Sequence, residues 1–343
     1  MLRWLRERGA RPLNQTSKPI RLAVVGAGGF GKNHLRVIHE MDGAELVAVV
    51  DTDAAKAAEA GKQYGCEAYT GTAELTGKVD AAIVAVPTVA HADVGCPLLE
   101  AGIDLLVEKP IASDLHSAQR LAQAAAAGGR ILQIGHLERF NPAVQALATI
   151  ITMPLFFEIH RMSVFSPRSL DVDVVLDLMI HDIDILLALV GKMPDDIRAA
   201  GVAILSQKVD IANVRLAFPG GCVANLTASR VSTERVRKIR LFQPNQYISL
   251  DYHRQDVAAF TVGADRQIGY QPLPVVKQEP LQLEIAAFLE SVRNRTAPLA
   301  GAVEAIRALE VSLSILAKIE EHLAVVAESI RKSSATSDSS APS

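Results

Sequence analysis

The chain has 343 residues, of which 49% are hydrophobic, and its formal net charge is −3. This length suits about two domains, and the slightly acidic balance excludes a general nucleic-acid-binding surface. The three cysteines are far apart and no apolar stretch is long enough to span a bilayer, so we expect a cytoplasmic protein with no disulfide framework, no metal site and no stable membrane insertion.

The first half of the chain predicts a parallel sheet. Residues 1–19 are rich in arginine and precede the first apolar strand, so we expect a flexible extension. Strands are predicted at 21–26, 45–50, 66–69, 80–86, 104–108 and 130–135, and helices at 30–41, 53–64, 90–101, 113–127 and 141–150. The expected helix caps are Asp53, Ser113 and Asn141. Because the strands are apolar throughout, both faces of the sheet must be buried, which is typical of a doubly wound Rossmann domain over residues 20–150.

A glycine-rich turn joins the first strand to the first helix. It reads G-x-G-x-x-G from Gly26 to Gly31. The first glycine of this motif permits a tight turn, the second lets backbone approach a pyrophosphate, and the third lets helix and strand pack closely. The free N–H groups and the positive end of the helix dipole favour the phosphates. The residues expected to bind a dinucleotide here are Gly26, Gly28, Gly29, Phe30 and Gly31.

Asp51 follows the second strand and lies 20 residues after Gly31. An acid at this spacing hydrogen-bonds a ribose 2′-hydroxyl. The next residues are Thr52 and Asp53, with no arginine to neutralise a 2′-phosphate. NAD is therefore favoured over NADP as the cofactor.

The fourth strand ends in a segment that we expect to border the cofactor, because ligands of such sheets bind beyond the carboxyl ends of the strands. Pro87, Thr88 and His91 are the residues concerned. An ordinary strand-to-helix turn is the alternative interpretation.

The fifth strand ends in Glu108-Lys109-Pro110, and the same argument places Glu108 and Lys109 beside the cofactor. An ammonium group here can hydrogen-bond a reacting hydroxyl and lower its pKa. A surface lysine at the end of a strand is the alternative.

The sixth strand leads into His136 and Arg139, which we expect to face the crevice between two domains. Arginine suits recognition of carboxylate or phosphate because its guanidinium is a planar fork of donors. The alternative is an interdomain hinge held by structural hydrogen bonds.

The pattern changes after residue 150 and predicts an α+β domain over residues 151–328. A strand at 155–162 and a long helix at 172–190 come first. Strands at 214–218 and 223–228 flank a Pro-Gly-Gly turn, which indicates an antiparallel and mostly open sheet. Helices follow at 282–293 and 301–328, and residues 329–343 are expected to be a disordered tail.

The long helix at 172–190 carries the candidate acid–base pair. Asp177 and His181 are four residues apart and so share one helix face. An imidazole titrates near neutral pH and can take a hydroxyl proton as hydride leaves the carbon. Asp177 can orient the ring or bind a substrate hydroxyl. A surface ion pair or a cap network is the alternative.

Together these motifs resemble the glucose–fructose oxidoreductase / inositol dehydrogenase family (Gfo/Idh/MocA). The resemblance rests on three motifs, which are the glycine-rich turn, Glu108-Lys109-Pro110 and Asp177-x-x-x-His181, in that order along the chain. The resemblance implies that Lys109, Asp177 and His181 are catalytic. It also implies that the second domain's sheet forms the interface of a homodimer or homotetramer.

The segment 135–142 and the basic stretch 229–238 resemble the corresponding segments of one subgroup of this family. The subgroup is bacterial and archaeal and includes UDP-N-acetylglucosamine 3-dehydrogenases. Arginine charges would suit a substrate diphosphate, although a solvated strand and loop face is the alternative. The candidate substrate-binding residues are Lys109, His136, Arg139, Arg161, Arg168, Asp177, His181 and Arg230.

We therefore expect an NAD-dependent oxidoreductase that oxidises a secondary ring hydroxyl of a sugar or nucleotide sugar to a ketone. The proton acceptor is His181 or Lys109, and the sequence leaves that choice open. Two alternatives remain: a glycosidase of the same family that uses NAD transiently, and a non-catalytic sensor of NAD or sugar.

Overall fold

The computed structural model describes residues 18–165, 172–263 and 265–338. Contacts divide them into two units. The first comprises the described residues up to Thr149 together with Pro274–Leu309, and the second comprises Ile150–Leu273 and the residues from Glu310 onward. Across the described ranges, no helix combines the length and the apolar character needed to cross a bilayer.

The first unit is built on a parallel sheet with the strand order β3-β2-β1-β4-β5-β6. Its strands are β1 (Ile20–Val25), β2 (Ala44–Val50), β3 (Glu67–Tyr69), β4 (Ala81–Val84), β5 (Asp104–Val107) and β6 (Leu132–Ile134). Its helices are α1 (Gly29–Glu40), α2 (Ala54–Tyr64), α3 (His91–Glu100), α4 (Leu115–Gly128) and α5 (Pro142–Ile150). The order reverses between β1 and β4, the position at which such sheets bind dinucleotides. The predicted Rossmann sheet is confirmed.

The second unit holds a sheet of eight described strands in the order β14-β13-β12-β11-β7-β10-β9-β8. They are β7 (Phe156–Val164), β8 (Asp196–Val202), β9 (Ile211–Ala217), β10 (Val223–Ser232), β11 (Val236–Gln243), β12 (Gln246–Asp251), β13 (Asp256–Val262) and β14 (Ile268–Pro272). Every neighbouring pair is antiparallel except β7 with β10. The expectation of a mostly antiparallel sheet is confirmed.

One face of this second sheet is apolar and buried. A π-helical turn, Val175–Met179, and helix α6 (Ile180–Val190) precede β8. Gly201 of β8 leaves room for Ile319, because a Cβ at that glycine would lie 2.8 Å from the isoleucine side chain. Helix α8 (Ala302–Asp338) thus packs closely on the sheet.

The position of helix α7 (Pro280–Asn294) differs from the predicted domain division, which placed this helix in the second domain. Its buried stripe of Leu281, Ile285 and Phe288 joins the apolar core that includes Leu22 of β1 and Leu35 of α1. The chain therefore returns to the first unit, because an amphipathic helix is stable only where its apolar stripe finds a partner.

Two local predictions also differ from the structure. Ser113 was expected to cap α4, but the cap is its neighbour Asp114, whose carboxylate accepts the N–H of Ser117 at 2.8 Å. The positive end of the helix dipole also favours an ionised carboxylate at this position. Helix α8 includes residues 329–338, which were expected to belong to a disordered tail.

Asp210 organises the loop between β8 and β9. Its fully buried carboxylate accepts N–H bonds from Ile204 at 2.7 Å, Leu205 at 2.6 Å and Ser206 at 3.0 Å, and it pairs with Arg230 at 3.1 Å. Burial alone would raise the pKa of Asp210, but these hydrogen bonds lower it to about 2.

We predict that Asp210→Asn destabilises the protein by about 2 kcal/mol near neutral pH. The native carboxylate has a pKa below its ordinary 3.8, so its contribution is present above that value and is lost as the pH falls towards 2. Urea unfolding at several pH values should show the gap between wild type and variant closing in acid. Asp195→Asn, at an exposed site, is the control, and a gap independent of pH would contradict the prediction.

Candidate functional site

Gly26 and Gly31 are required by the packing of the glycine-rich turn itself. Gly26 has φ +101°, and a Cβ there would lie 2.4 Å from the carbonyl oxygen of Ala85. A Cβ on Gly31 would lie only 1.8 Å from the carbonyl oxygen of Gly26. Helix α1 therefore starts directly against the end of β1, as the motif predicts.

Gly28 is different, because no atom of the described residues, apart from those of Gly28 and its two chain neighbours, lies within 4 Å of where its Cβ would be. Its φ of −71° is open to any residue. The absence of a side chain thus leaves an open cradle at the start of α1, whose first turn holds no acidic residue. Backbone N–H groups of this first turn are available to an anion, so the cradle fits the pyrophosphate of a dinucleotide. Phe30, in the same turn, is 47% exposed.

Asp51 lies beside this cradle at the end of β2. One carboxylate oxygen accepts the N–H of Ala27 at 2.8 Å, and the other accepts the N–H of Asp53 at 2.9 Å. Each oxygen keeps a second lone pair for a further donor. The half-buried carboxylate thus both shapes the glycine-rich turn and fits a ribose hydroxyl.

His91 is buried and does not line an open site, contrary to the prediction. Nε2 lies 3.0 Å from the carbonyl oxygen of Val86, and Nδ1 lies 3.0 Å from that of Pro110 and 3.3 Å from that of Ile111. Burial lowers the pKa of His91. The ring instead joins the two strand ends that were expected to border the cofactor, while Pro87 lies exposed in the turn after β4.

Glu108 turns inward from the end of β5. Its Oε1 lies 2.7 Å from Nε2 of His34 in α1, and its Oε2 accepts the N–H of Lys109 at 3.3 Å. Gly135, at the end of β6, makes room for this carboxylate, since a Cβ there would lie 3.1 Å from Oε2. The Lys109 side chain is half-buried at the carboxyl edge of the sheet.

Glu284 of α7 belongs to the same buried region. It is 1% exposed, and burial together with the charge of Glu108 holds its pKa well above the ordinary range of a carboxyl group. Burial and the neighbouring carboxylate of Glu108 thus both disfavour the charged form of Glu284.

Sequence reasoning missed both His34 and Glu284. Each sits in the apolar stripe of its helix, His34 beside Leu35 and Glu284 beside Ile285. A polar residue at a stripe position signals a buried group that needs a partner, and that signal was present in the sequence.

His136 and Arg139 are both buried, at 1% and 2% exposure. Arg139 donates from Nη1 to the carbonyl oxygen of Leu299 at 3.1 Å. This contact fits the alternative of structural hydrogen bonds better than an open phosphate site.

In the second unit, Asp177 lies in the π-helical turn and His181 in the first turn of α6. The N–H of Ile180 reaches back five residues to the carbonyl oxygen of Val175, which widens the helix at this point. Such turns occur frequently at functional sites. Asp177 and His181 are both half-buried.

Arg161 does not fit its predicted role in substrate binding. It is 1% exposed and forms a two-pronged ion pair with Asp182 of α6, with Nε to Oδ2 at 2.7 Å and Nη2 to Oδ1 at 2.8 Å. Its guanidinium also lies over the ring of Tyr252. Arg161 thus ties α6 to the central strand β7, directly beside His181.

Arg230 is also structural. It is 5% exposed, pairs with Asp210 and donates from Nη2 to the carbonyl oxygen of Val209 at 2.9 Å. Arg168 lies outside the described residues. Among the described side chains, no three His, Cys, Asp or Glu groups cluster as metal ligands would.

Family comparisons match both units. A model described as "Oxidoreductase family, NAD-binding Rossmann fold" matches residues 20–136, and one described as "GFO/IDH/MocA C-terminal domain" matches residues 157–244. The chain belongs to the GFO/IDH/MocA oxidoreductase family. The resemblance found in the sequence is confirmed, and with it an NAD-binding Rossmann domain.

Two relatives show how far the similarity extends. UDP-N-acetylglucosamine 3-dehydrogenase of Acidithiobacillus ferrooxidans is 34% identical over 310 residues, which cover 89% of this chain and 98% of that protein. Its solved structure has a TM-score of 0.84 and covers 90% of this chain and 100% of that chain at 33% identity. Inositol 2-dehydrogenase of Corynebacterium glutamicum is 30% identical over 187 residues, 51% of this chain and 56% of that protein.

We predict that Gly28→Ala weakens NAD binding by at least about tenfold with little change in thermal stability, because the new methyl group enters only the cradle. Gly31→Ala should lower the melting temperature instead, because its methyl group collides with backbone. Calorimetric titration with NAD and thermal unfolding would measure both. Equal NAD affinity in wild type and Gly28→Ala would contradict the assignment of the cradle.

Proposed function

We propose that this chain is an NAD-dependent dehydrogenase that oxidises the 3-hydroxyl of UDP-N-acetylglucosamine to a ketone. The observation that carries the proposal is the extent of similarity to the Acidithiobacillus enzyme, which runs through both units. The inositol dehydrogenase matches about half of this chain. Substrate choice depends on residues throughout a site, so similarity over the whole length favours a nucleotide sugar over inositol.

The preference for NAD over NADP is supported by the charges around Asp51. Asp53 follows two residues later, and the nearby cation Lys56 is already paired with Asp53 at 3.4 Å. A 2′-phosphate would therefore meet two carboxylates and no unpaired guanidinium or ammonium in this segment.

In the proposed mechanism, His181 takes the proton of the substrate hydroxyl on a ring nitrogen, since imidazole titrates near neutral pH. Lys109, in the first unit, is the second candidate group, because an ammonium can donate a hydrogen bond to a substrate oxygen and stabilise developing negative charge. Asp177, in the preceding turn, orients the imidazole. A nicotinamide cofactor held by the glycine-rich turn and Asp51 would supply the hydride acceptor for the carbon that bears this oxygen.

Buried contacts hold His181 in place. Arg161 and Asp182 form a buried ion pair, so the first turn of α6 is fixed to β7 at the residue next to His181. Breaking such a pair typically costs about 3–5 kcal/mol because a buried charge is left alone. The pair thus restricts motion of the helix that carries the proposed proton acceptor.

We expect His181→Ala and Lys109→Ala each to lower kcat by about 100-fold, as loss of acid–base or electrostatic groups does. NADH formation from UDP-N-acetylglucosamine is the assay, and NADP in place of NAD should lower kcat/KM at least about tenfold. His253→Ala, at an exposed histidine of the second unit, is the control. Near-normal turnover in both variants, or no NADH from the wild type, would refute the proposal.

We also propose a homodimer or homotetramer formed through the open face of the second sheet. Five aromatic rings cross five adjacent strands on this face, with centroids 5.0–5.8 Å apart. They are Phe156, Phe242, Tyr247, Phe260 and Tyr270. Phe242 and Tyr270 are exposed, and the other three rings are half-buried. A partly exposed aromatic row of this kind suits a self-complementary interface. The free thiols of the three cysteines support a cytoplasmic location.

Phe242→Glu should reduce the molar mass measured by light scattering to that of a smaller species, because a carboxylate would have to be buried in the aromatic row. Val276→Glu, at a site 79% exposed, should leave the mass unchanged. A wild type that is already monomeric, or a Phe242→Glu variant with the wild-type mass, would contradict this interface.

A further inference from the structure

Two buried histidines flank the segment that carries Lys109, and neither belongs to the catalytic set described above. His34 contacts Glu108, the residue before the lysine, and His91 contacts the carbonyl groups of Pro110 and Ile111, the two residues after it. Both rings are fully buried.

His34 contacts the segment around Lys109 through the side chain of Glu108. Its Nε2 lies 2.7 Å from Oε1 of Glu108, while the other oxygen of that carboxylate accepts the N–H of Lys109. Both oxygens of the carboxylate thus have a partner, and the absence of a side chain at Gly135 leaves room for it.

His91 contacts the backbone of the segment, at the carbonyl groups of Pro110 and Ile111. A neutral imidazole donates from one nitrogen at a time, and either nitrogen faces a carbonyl group here. Nδ1 faces Pro110 and Ile111, and Nε2 faces Val86 in the turn after β4.

We propose that His34 and His91 are positioning residues for Lys109, which together fix the backbone on both sides of the lysine. This inference rests on the proposed catalytic role of Lys109. Helix α1 carries His34 and begins at the pyrophosphate cradle, whereas α3 carries His91 and follows the turn at Pro87. The segment of the lysine is therefore tied to both helices, to the second turn of α1 and to the first residue of α3.

The His34 contact is tested by a pair of variants. His34→Leu removes the donor, whereas His34→Gln places an amide nitrogen near the position of Nε2. We expect His34→Leu to lower kcat by about 10- to 100-fold with a much smaller change in KM, since small misplacements of a reacting group cost this much. His34→Gln should restore most of kcat. His39→Leu, on the exposed part of the same helix, is the matched control.

The His91 contacts are separated by two amide variants. His91→Asn keeps a donor near Nδ1, which faces the residues after Lys109, and His91→Gln keeps one near Nε2, which faces Val86. We expect His91→Asn to retain kcat and His91→Gln to lose it. Equal kcat in these two variants, or equal kcat in His34→Leu and His34→Gln, would overturn the proposal, because a merely structural role predicts no rescue by one particular amide.

A readout without substrate keeps this inference separate from the proposed function. Isotope-labelled methyl groups attached to the lysine amines give NMR signals that report on the surroundings of each amine. The signal of Lys109 is identified as the one that is missing in the Lys109→Arg variant. It should shift or broaden in His34→Leu and His91→Gln and return in His34→Gln and His91→Asn. An unchanged signal in all four variants would overturn the positioning role. Normal turnover in Lys109→Ala would refute the catalytic role of Lys109, and no oxidation of UDP-N-acetylglucosamine would refute the proposed function. The NMR comparison would be valid in either case.

Discussion

The close approach of Gly31 to the carbonyl group of Gly26 is the constraint on which the first unit depends. With no side chain between them, α1 starts directly against the end of β1. This contact directs the helix start towards the cradle at Gly28 and brings His34, one turn later, to the carboxylate of Glu108. One pair of glycines thus sets both the proposed phosphate cradle and the support beneath Lys109.

The second unit depends on buried arginines in a comparable way. Arg161 and Arg230 look like ligands for a diphosphate when only their charge and order in the chain are known. In the structure, Asp182 and Asp210 neutralise them inside the unit, where water cannot replace a lost partner. Their charges therefore order a helix and a loop instead of meeting solvent.

Most of the fold could be predicted from the sequence because its signals are local. Apolar strands, glycine turns and the G-x-G-x-x-G motif each depend on neighbouring residues. The return of α7 to the first unit could not be predicted, because an apolar stripe does not say which surface covers it. The π-helical turn at Asp177 was missed as well, since one shifted hydrogen bond leaves no periodic trace over five residues.

The sequence by itself determined the parallel sheet, the dinucleotide motif, the family and the candidates Lys109, Asp177 and His181, because each follows from residue type and spacing along the chain. Only the tertiary structure decided which polar residues have their hydrogen bonds satisfied inside the protein. It turned Arg161, Arg230 and His91 inward and assigned His34 to Glu108. The physical reason is that burial and pairing arise from residues distant in the chain, which no local pattern encodes.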